Sequence, residues 1–436
     1  MKSYSICVIG TGYVGLVTAA GLAEFGHRVV GTDKDAEKIA KCSRGIAPIF
    51  EPGLEELMRR HLEGGRLTFT ADVGGAIRES DVVFVCVGTP QDDEGRADMS
   101  QIEEVARTIA GNLAGYKLVV EKSTVPVRTS AWIKRVITLH SKSAQEFDIA
   151  SNPEFLREGA AVSDFLRPDR IVIGVETAKA RDILCRIYEH LAERLLITNI
   201  DTAELIKHAS NSFLALKISY INMIADICER TDADVEQVAL GMGLDPRIGR
   251  DFLRAGIGYG GSCFPKDVKA LVKIGEDLGV AMTLLRETER INQDRAPAFV
   301  EKIKRALWIL KDKTIGILGL AFKPETDDVR EATSIRIIQE LRREGAVLRL
   351  YDPKAMDNMK VLFPADERLV YCPDADAVAE RANALLLITE WEEFKGLDFG
   401  RLRQRMANPI LIDGRNLFDP AAVCRLGFEY FSVGRK

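Results

Sequence analysis

One short stretch near the start constrains this chain more than any other. An apolar run, Ser5–Ile9, passes without a break into Gly10-Thr11-Gly12-Tyr13-Val14-Gly15; helical periodicity then covers Val14–Phe25, and a second apolar run, Arg28–Thr32, ends against Asp33. In a strand–turn–helix–strand unit the first glycine permits the tight turn. The second lets backbone approach a pyrophosphate, and the third lets helix and strand pack closely. An acid 18 residues past the last glycine stands where a ribose hydroxyl would be met and where a 2′-phosphate would be repelled, so the unit reads as an NAD site involving Gly10, Gly12, Tyr13, Val14, Gly15 and Asp33. Lys38 either reaches the same ribose or is plain surface.

The first 200 residues keep alternating in this way. Asp81–Val87, Lys117–Glu121, Phe147–Ala150 and Ile171–Val175 read as further buried strands. Helical patterns lie at Gly53–His61, Ile102–Leu113, Ser130–Leu139 and Ala178–Leu191, which predicts a Rossmann-type parallel sheet. Several strands end in polar clusters: Val87-Gly88-Thr89-Pro90, then Glu121-Lys122-Ser123-Thr124-Val125-Pro126, then Ser151-Asn152-Pro153-Glu154-Phe155-Leu156-Arg157-Glu158. At the carboxyl edge of a parallel sheet such clusters line one cleft.

At Asp201 the pattern changes. Asp201 with Glu204 three residues on reads as an N-cap, and an apolar sequence free of Gly and Pro runs to about Cys228, predicting one long helix buried on several sides through Leu205, Ile206, Ala209, Phe213, Leu216, Ile221, Ile224 and Ile227. It joins two domains and offers a subunit interface. Lys207 and Asn211, four apart, share one face of it. Further helix is expected at Val235–Met242 and Val268–Asp277. From about Lys313 strand and helix alternate again: Thr314–Leu318, a helix near Ser334–Glu344, Val347–Tyr351, Ala384–Ile388 and Ile410–Asp413 form a second Rossmann-like unit without the three-glycine spacing. The expected domains are 1–200, 201–300 and 301–436.

Between the two α/β units lies Gly256-Ile257-Gly258-Tyr259-Gly260-Gly261-Ser262-Cys263-Phe264-Pro265-Lys266-Asp267. Pro265 suits the first position of a helix. Cys263 then precedes the helix N-terminus, where the macrodipole and Lys266 favour a thiolate. The glycines admit a ligand to the backbone, and Asp267, one turn on, holds a proton or orients a base. The last cluster, Phe322-Lys323-Pro324-Glu325-Thr326-Asp327-Asp328-Val329-Arg330, offers either two cations for phosphates or ion pairs with its own acids.

Composition excludes other classes. With 60 Lys+Arg against 65 Asp+Glu, the net charge of −5 provides no basic field for nucleic acid or anionic membrane. Eight Cys scattered through 436 residues are expected to be reduced and intracellular. Five His without ligand spacing predict no metal. Ser3–Ala23 lacks charge, as a signal peptide would, but four glycines interrupt it and Lys2 makes almost no basic region before it, so a cytoplasmic protein is expected.

Taken in order, these segments resemble the nucleotide-sugar 6-dehydrogenases over nearly the whole chain, and Arg247-Ile248-Gly249 with Phe322–Thr326 look more like the branch acting on UDP-glucose than that acting on GDP-mannose. The resemblance implies two successive NAD-dependent oxidations of a sugar C6 alcohol without a metal. It implies Cys263 as nucleophile, with Lys207, Asn211, Asp267, Thr124 and Glu154 in the chemistry. Thr89, Thr124, Glu158, Lys266 and Arg330 would meet NAD. Glu154, Phe155, Leu156, Lys207, Asn211, Phe252, Leu253, Gly260, Phe264 and Lys323 would line the sugar-nucleotide site, and Arg247 would reach a neighbouring subunit, making at least a homodimer. Arg128 departs from the family, many of whose members have Gly there. A non-catalytic NAD-binding scaffold is the alternative outside the class, opposed by the intact Cys263, Lys207 and Asp267.

Overall fold

The computed structural model describes residues 3–92, 95–141 and 145–435. Two compact units emerge, Met1–Ser210 with Lys269–Gly279, and Asn211–Val268 with Val280–Lys436.

The first unit is built on eight strands: β1 (Ser5–Ile9), β2 (Arg28–Thr32), β3 (Leu67–Thr70), β4 (Val82–Val85), β5 (Lys117–Glu121), β6 (Phe147–Ser151), β7 (Ile171–Val175) and β8 (Leu195–Thr198), in the order β3-β2-β1-β4-β5-β6-β7-β8. Chain direction around the sheet reverses between β1 and β4, and the glycine turn sits at that switch point. β1, β4 and β5 are almost wholly buried, as a sheet covered on both faces requires. Three helices matter to the site: α1 (Tyr13–Glu24), α2 (Thr129–His140) and α3 (Ala161–Leu166).

The expected parallel sheet is present with one exception: β7 runs antiparallel to β6. The segment joining them contains a helix of only six residues, α3, which spans about 9 Å, whereas β6 is about 17 Å long. So short a helix does not carry the chain back to the other end of the sheet. Strand β3 escapes a reading by apolar runs because threonine alternates with its apolar residues, and β8 is a strand with no buried residue.

The second unit contains most of α4 (Ile200–Cys228), then α5 (Val235–Gly243), part of α6 (Phe264–Asp277), α7 (Thr283–Leu307) and α8 (Thr333–Arg343). Its six strands, β9 (Thr314–Leu318), β10 (Val347–Tyr351), β11 (Leu369–Tyr371), β12 (Ala384–Leu387), β13 (Ile410–Asp413) and β14 (Glu429–Phe431), form an all-parallel sheet in the order β11-β10-β9-β12-β13-β14. The order again reverses about the first strand, so the C-terminal unit repeats the N-terminal topology. Its chemistry differs. Asp352, just past β10 as Asp33 is just past β2, is fully buried and accepts from the backbone N–H groups of Leu320, Ala321, Lys354 and Ala355 and from the Trp391 indole, leaving nothing for a ribose.

Helix α4 departs from expectation in two respects. Its cap is Asn199, whose Oδ1 accepts from Thr202 N at 2.8 Å, with Asp201 already inside the helix. Glu204 does not reach back to close a capping box. It crosses to the start of α2, accepting from Arg128 N (2.6 Å), Ser130 N (2.9 Å) and Ser130 Oγ (2.7 Å). The helix is also less buried than its apolar content suggests, since Leu205, Phe213 and Ile227 stand exposed.

Candidate functional site

At the switch point of the first sheet the three glycines meet different demands. Gly10 has φ +103°, and a Cβ there would stand 2.5 Å from the Cys86 carbonyl; one on Gly15 would stand 1.8 Å from the Gly10 carbonyl. Among the described residues, none comes within 4 Å of the Cβ position of Gly12, and none caps α1, which begins after it, with a side chain. The amides of this helix N-terminus therefore face open space, where a pyrophosphate fits. Asp33 accepts from Thr11 N and Thr11 Oγ1, both at 2.9 Å, through one oxygen and from Asp35 N through the other. Burial by itself would raise its pKa; the Thr11 and Asp35 N–H groups, the Thr11 hydroxyl and the charge of Lys38 outweigh that and lower it, keeping it an anion. Lys38 is exposed.

The loop after β6 carries the next group. Glu154 Oε1 pairs with Lys207 Nζ at 2.9 Å, with the side chains only 6% and 3% exposed. Removing one partner of so buried a pair costs about 3–5 kcal/mol, because the other charge is stranded. The Phe155 ring lies 3.9 Å from the Arg170 guanidinium carbon and 5.3 Å from Lys207 Nζ. Leu156 N donates to Glu154 Oε2. Thr89 Oγ1 donates to the Thr124 carbonyl at 2.9 Å, tying the ends of two neighbouring strands together. Arg128 adopts φ +75°, the left-handed conformation that glycine takes without strain; its N–H finds Glu204 in return.

The second unit holds the cysteine. Cys263 immediately precedes α6, its carbonyl accepts from Asp267 N at 2.8 Å, and it is half-buried and free of any disulfide. Pro265 takes the second position of the helix rather than the first. Asp267 is 1% exposed and held from two sides, by Asn211 Nδ2 and Lys266 Nζ, each at 2.6 Å. Asn211 follows Lys207 by one turn of α4. The glycines just before Cys263 meet a packing demand. A Cβ on Gly260 would stand 2.2 Å from the Glu331 carbonyl and one on Gly261 2.6 Å from the Phe322 ring, while Gly261 N donates to the Arg330 carbonyl. They let this loop lie against the 322–331 loop.

Other anticipated residues are positioned less directly. Phe252, at φ +65°, and Tyr259 set their rings against Phe264. The Leu253 side chain belongs to an apolar cluster with Ile221, Ala225 and Val235. Arg330 forms a two-pronged pair with Asp328. Arg247 pairs with Asp245 and remains 87% exposed. Lys323 lies over Phe322 at 5.5 Å, and Glu158 is half-buried.

Two residues escaped the sequence reading. Glu51 is buried; it bonds the Tyr13 hydroxyl and accepts from Gly159 N (2.6 Å) and Ala161 N (2.8 Å), clamping the glycine-turn helix to the loop that bears Glu154 and Glu158. Arg415 is anchored on the carbonyls of Ile388 (2.7 Å) and Gly258 (2.8 Å), beside the cysteine loop. Asp413-Gly414-Arg415-Asn416 ends an apolar strand just as the noted clusters do, and that signal was there to be read.

Comparison with known proteins resolves what such an arrangement belongs to. Residues 4–192 match the NAD binding domain of the UDP-glucose/GDP-mannose dehydrogenase family, 201–294 its central domain and 316–420 its UDP binding domain. The chain belongs to this family. Within the UDP-glucose/GDP-mannose dehydrogenases, a UDP-glucose 6-dehydrogenase of Rhizobium meliloti (strain 1021) is 47% identical over 99% of both chains, and the UDP-glucose 6-dehydrogenase TuaD of Bacillus subtilis (strain 168) is 44% identical over 99% of this chain and 93% of its own. The solved UDP-glucose dehydrogenase of Pyrobaculum islandicum superposes with a TM-score of 0.93 at 37% identity, over 100% of this chain and 98% of that one. A GDP-mannose dehydrogenase from Pseudomonas aeruginosa reaches 0.55 at 30% identity, over 98% and 99%. NAD is the cofactor of this family's N-terminal domain, and the open Gly12 amides and anionic Asp33 fit it.

Proposed function

We propose that this chain oxidises UDP-glucose at C6 to UDP-glucuronate, using two NAD per sugar. The observation that carries the reading is the identity of 47% over 99% of both chains to a protein named for UDP-glucose 6-oxidation. The placement of Cys263 before a helix N-terminus supports the second oxidation.

NAD, when bound, supplies the hydride acceptor for both oxidations. Lys207, paired with Glu154, takes the C6 hydroxyl proton in the first, which yields an aldehyde. The Cys263 thiolate adds to the aldehyde carbon, forming a C–S bond and a thiohemiacetal oxyanion that Lys207 and Asn211 stabilise. Loss of the second hydride turns this adduct into a thioester. Water, held by Asp267 with Thr124 and Glu154, then cleaves the C–S bond, so that the carboxylate leaves and the thiol is restored. Asn211 and Lys266 hold Asp267 in the orientation this needs. Lys266, Arg330, Glu158, Thr89 and Lys38 serve the cofactor; Phe155, Leu156, Phe252, Leu253, Gly260, Phe264 and Lys323 serve the sugar nucleotide.

The working form is a homodimer or larger, with Arg247 of one copy reaching the sugar nucleotide of the next. Phe213, Tyr220 and Ile227, seven residues apart on α4, are 60%, 41% and 55% exposed, an apolar stripe suited to a second copy.

The test is the stoichiometry of NADH to sugar. Two NADH per UDP-glucose, with UDP-glucuronate as product, is expected, and Cys263→Ala should lose carboxylate production. A single NADH per sugar would refute the thioester role, and turnover of GDP-mannose but not UDP-glucose would refute the choice of substrate.

A further inference from the structure

Lys122 is a lysine in an unusual place. It follows the apolar strand β5, is only 4% exposed, and lies 6.0 Å from the Phe165 ring; among the described residues no carboxylate stands within ion-pair distance of its Nζ. Burying an ammonium without a counter-ion is costly and is retained only where its hydrogen bonds accomplish something. Here they converge on a single residue. Nζ donates to the Asn152 carbonyl at 3.2 Å and to Asn152 Oδ1 at 3.1 Å.

Asn152 is fixed on every side. Its Oδ1 also accepts from the Tyr188 hydroxyl (2.7 Å), its Nδ2 donates to the Val172 carbonyl (2.8 Å), and its N–H donates to the Glu121 carbonyl (2.8 Å). Pro153, with its restricted φ, comes next, and Glu154 after it, so anchoring Asn152 sets where the Glu154 carboxylate stands. We propose that Lys122 is a positioning residue for the oxidation: it holds Asn152 so that Glu154 meets Lys207. The proposal rests on the reading of Lys207 as base and Glu154 as its partner.

The charge of Lys122 bears on the same pair. Among the described residues, the Cys86 thiol at the end of β4, Glu154 on the loop and Lys207 on α4 act on the Lys122 charge, and the Tyr188 hydroxyl, kept neutral by burial, shares Asn152 Oδ1 with it. Burial holds the Cys86 thiol neutral, its pKa pushed up to about 12, so the two charged neighbours are Glu154 and Lys207. Burial, aided by Lys207 and opposed by Cys86 and Glu154, brings the Lys122 ammonium down to about 8. Coulomb repulsion is mutual: each ammonium works against a proton on the other.

The experiment compares Lys122→Met, Lys122→Arg and Glu154→Gln in the full-length protein, following NADH formation with UDP-glucose across pH. Lys122→Met is expected to lower kcat roughly 10–100-fold, the effect of a small displacement of a reacting group, while KM for NAD stays nearly constant. The acid limb of its pH profile should move to higher pH, because Lys207 loses a repelling neighbour. Lys122→Arg, which keeps the charge, should leave that limb in place. Unchanged kcat and an unmoved limb in Lys122→Met, beside an impaired Glu154→Gln, would overturn the proposal. An unimpaired Glu154→Gln would instead sink the reading of the Glu154–Lys207 pair. Should Lys122→Met fail to fold by circular dichroism, Asn152→Ser carries the test: it removes the held side-chain oxygen, a similar fall in kcat is expected, and unchanged kcat overturns the clamp.

Discussion

Glu121 offers a quantitative test of the buried polar layer at the end of β5. It is 1% exposed; Oε1 accepts from Ser123 N at 2.7 Å, and among the described residues Oε2 meets no hydrogen-bond partner. Burial, which outweighs the Ser123 hydrogen bonds and is reinforced by Glu204, pushes its pKa from 4.5 up to about 8. The sign follows from proton counting. A carboxyl whose pKa is raised by folding keeps a proton that the unfolded chain releases, so its contribution is fully favourable below pH 4.5 and is lost as pH rises towards 8. At about 1.4 kcal/mol per pH step, the native state is weakened by roughly 3 kcal/mol at pH 7. Glu121→Gln mimics the protonated form: it preserves the acceptor for Ser123 N, and the amide nitrogen at the Oε2 position adds a cost independent of pH. The penalty grows by roughly 2.5 kcal/mol between pH 5 and pH 7, so the melting temperature of Glu121→Gln minus that of the wild type should climb by roughly 5–10 °C over that range, taking 2–4 °C per kcal/mol for a unit of this size. The assay is calorimetry of both proteins over that range. A difference that stays flat with pH would mean Glu121 is ionised in the native protein, and the reasoning would fail.

Three further perturbations follow from the same geometry. Arg128→Gly relieves a left-handed conformation while leaving the N–H to Glu204 intact, and should stabilise by roughly 0.5–1 kcal/mol; a lower melting temperature would contradict that account. Asp33→Asn removes the charge that repels a 2′-phosphate and should shift the NADP-to-NAD ratio of kcat/KM towards NADP by roughly tenfold, with an unchanged ratio counting against the ribose role. Phe213→Glu combined with Ile227→Glu puts two charges into the exposed stripe of α4 and should give monomers in light scattering, whereas an unaltered mass would move the interface elsewhere.

The site was legible in the sequence to the extent that its chemistry is local. Gly10, Gly12 and Gly15 with Asp33 are a backbone requirement written into one βαβ unit, and Cys263 before α6 depends only on where that helix starts. Residues that act through distant partners left no comparable mark. Glu51 looks like any turn glutamate until Tyr13, Gly159 and Ala161 converge on it. Lys122 looked like part of a polar strand end, and Glu204 like half of a capping box.

Apolar periodicity and glycine spacing determined two α/β units, the long helix between them and the NAD turn, because those signals reflect which faces of strands and helices must leave water. Tertiary structure alone decided the reversal of β7, the use of Gly260 and Gly261 to pack the 322–331 loop, and the layer in which Lys122, Asn152, Glu154 and Lys207 hold one another. A buried charge is tolerated only where partners from other elements meet it, and nothing in the local sequence says which partners those are.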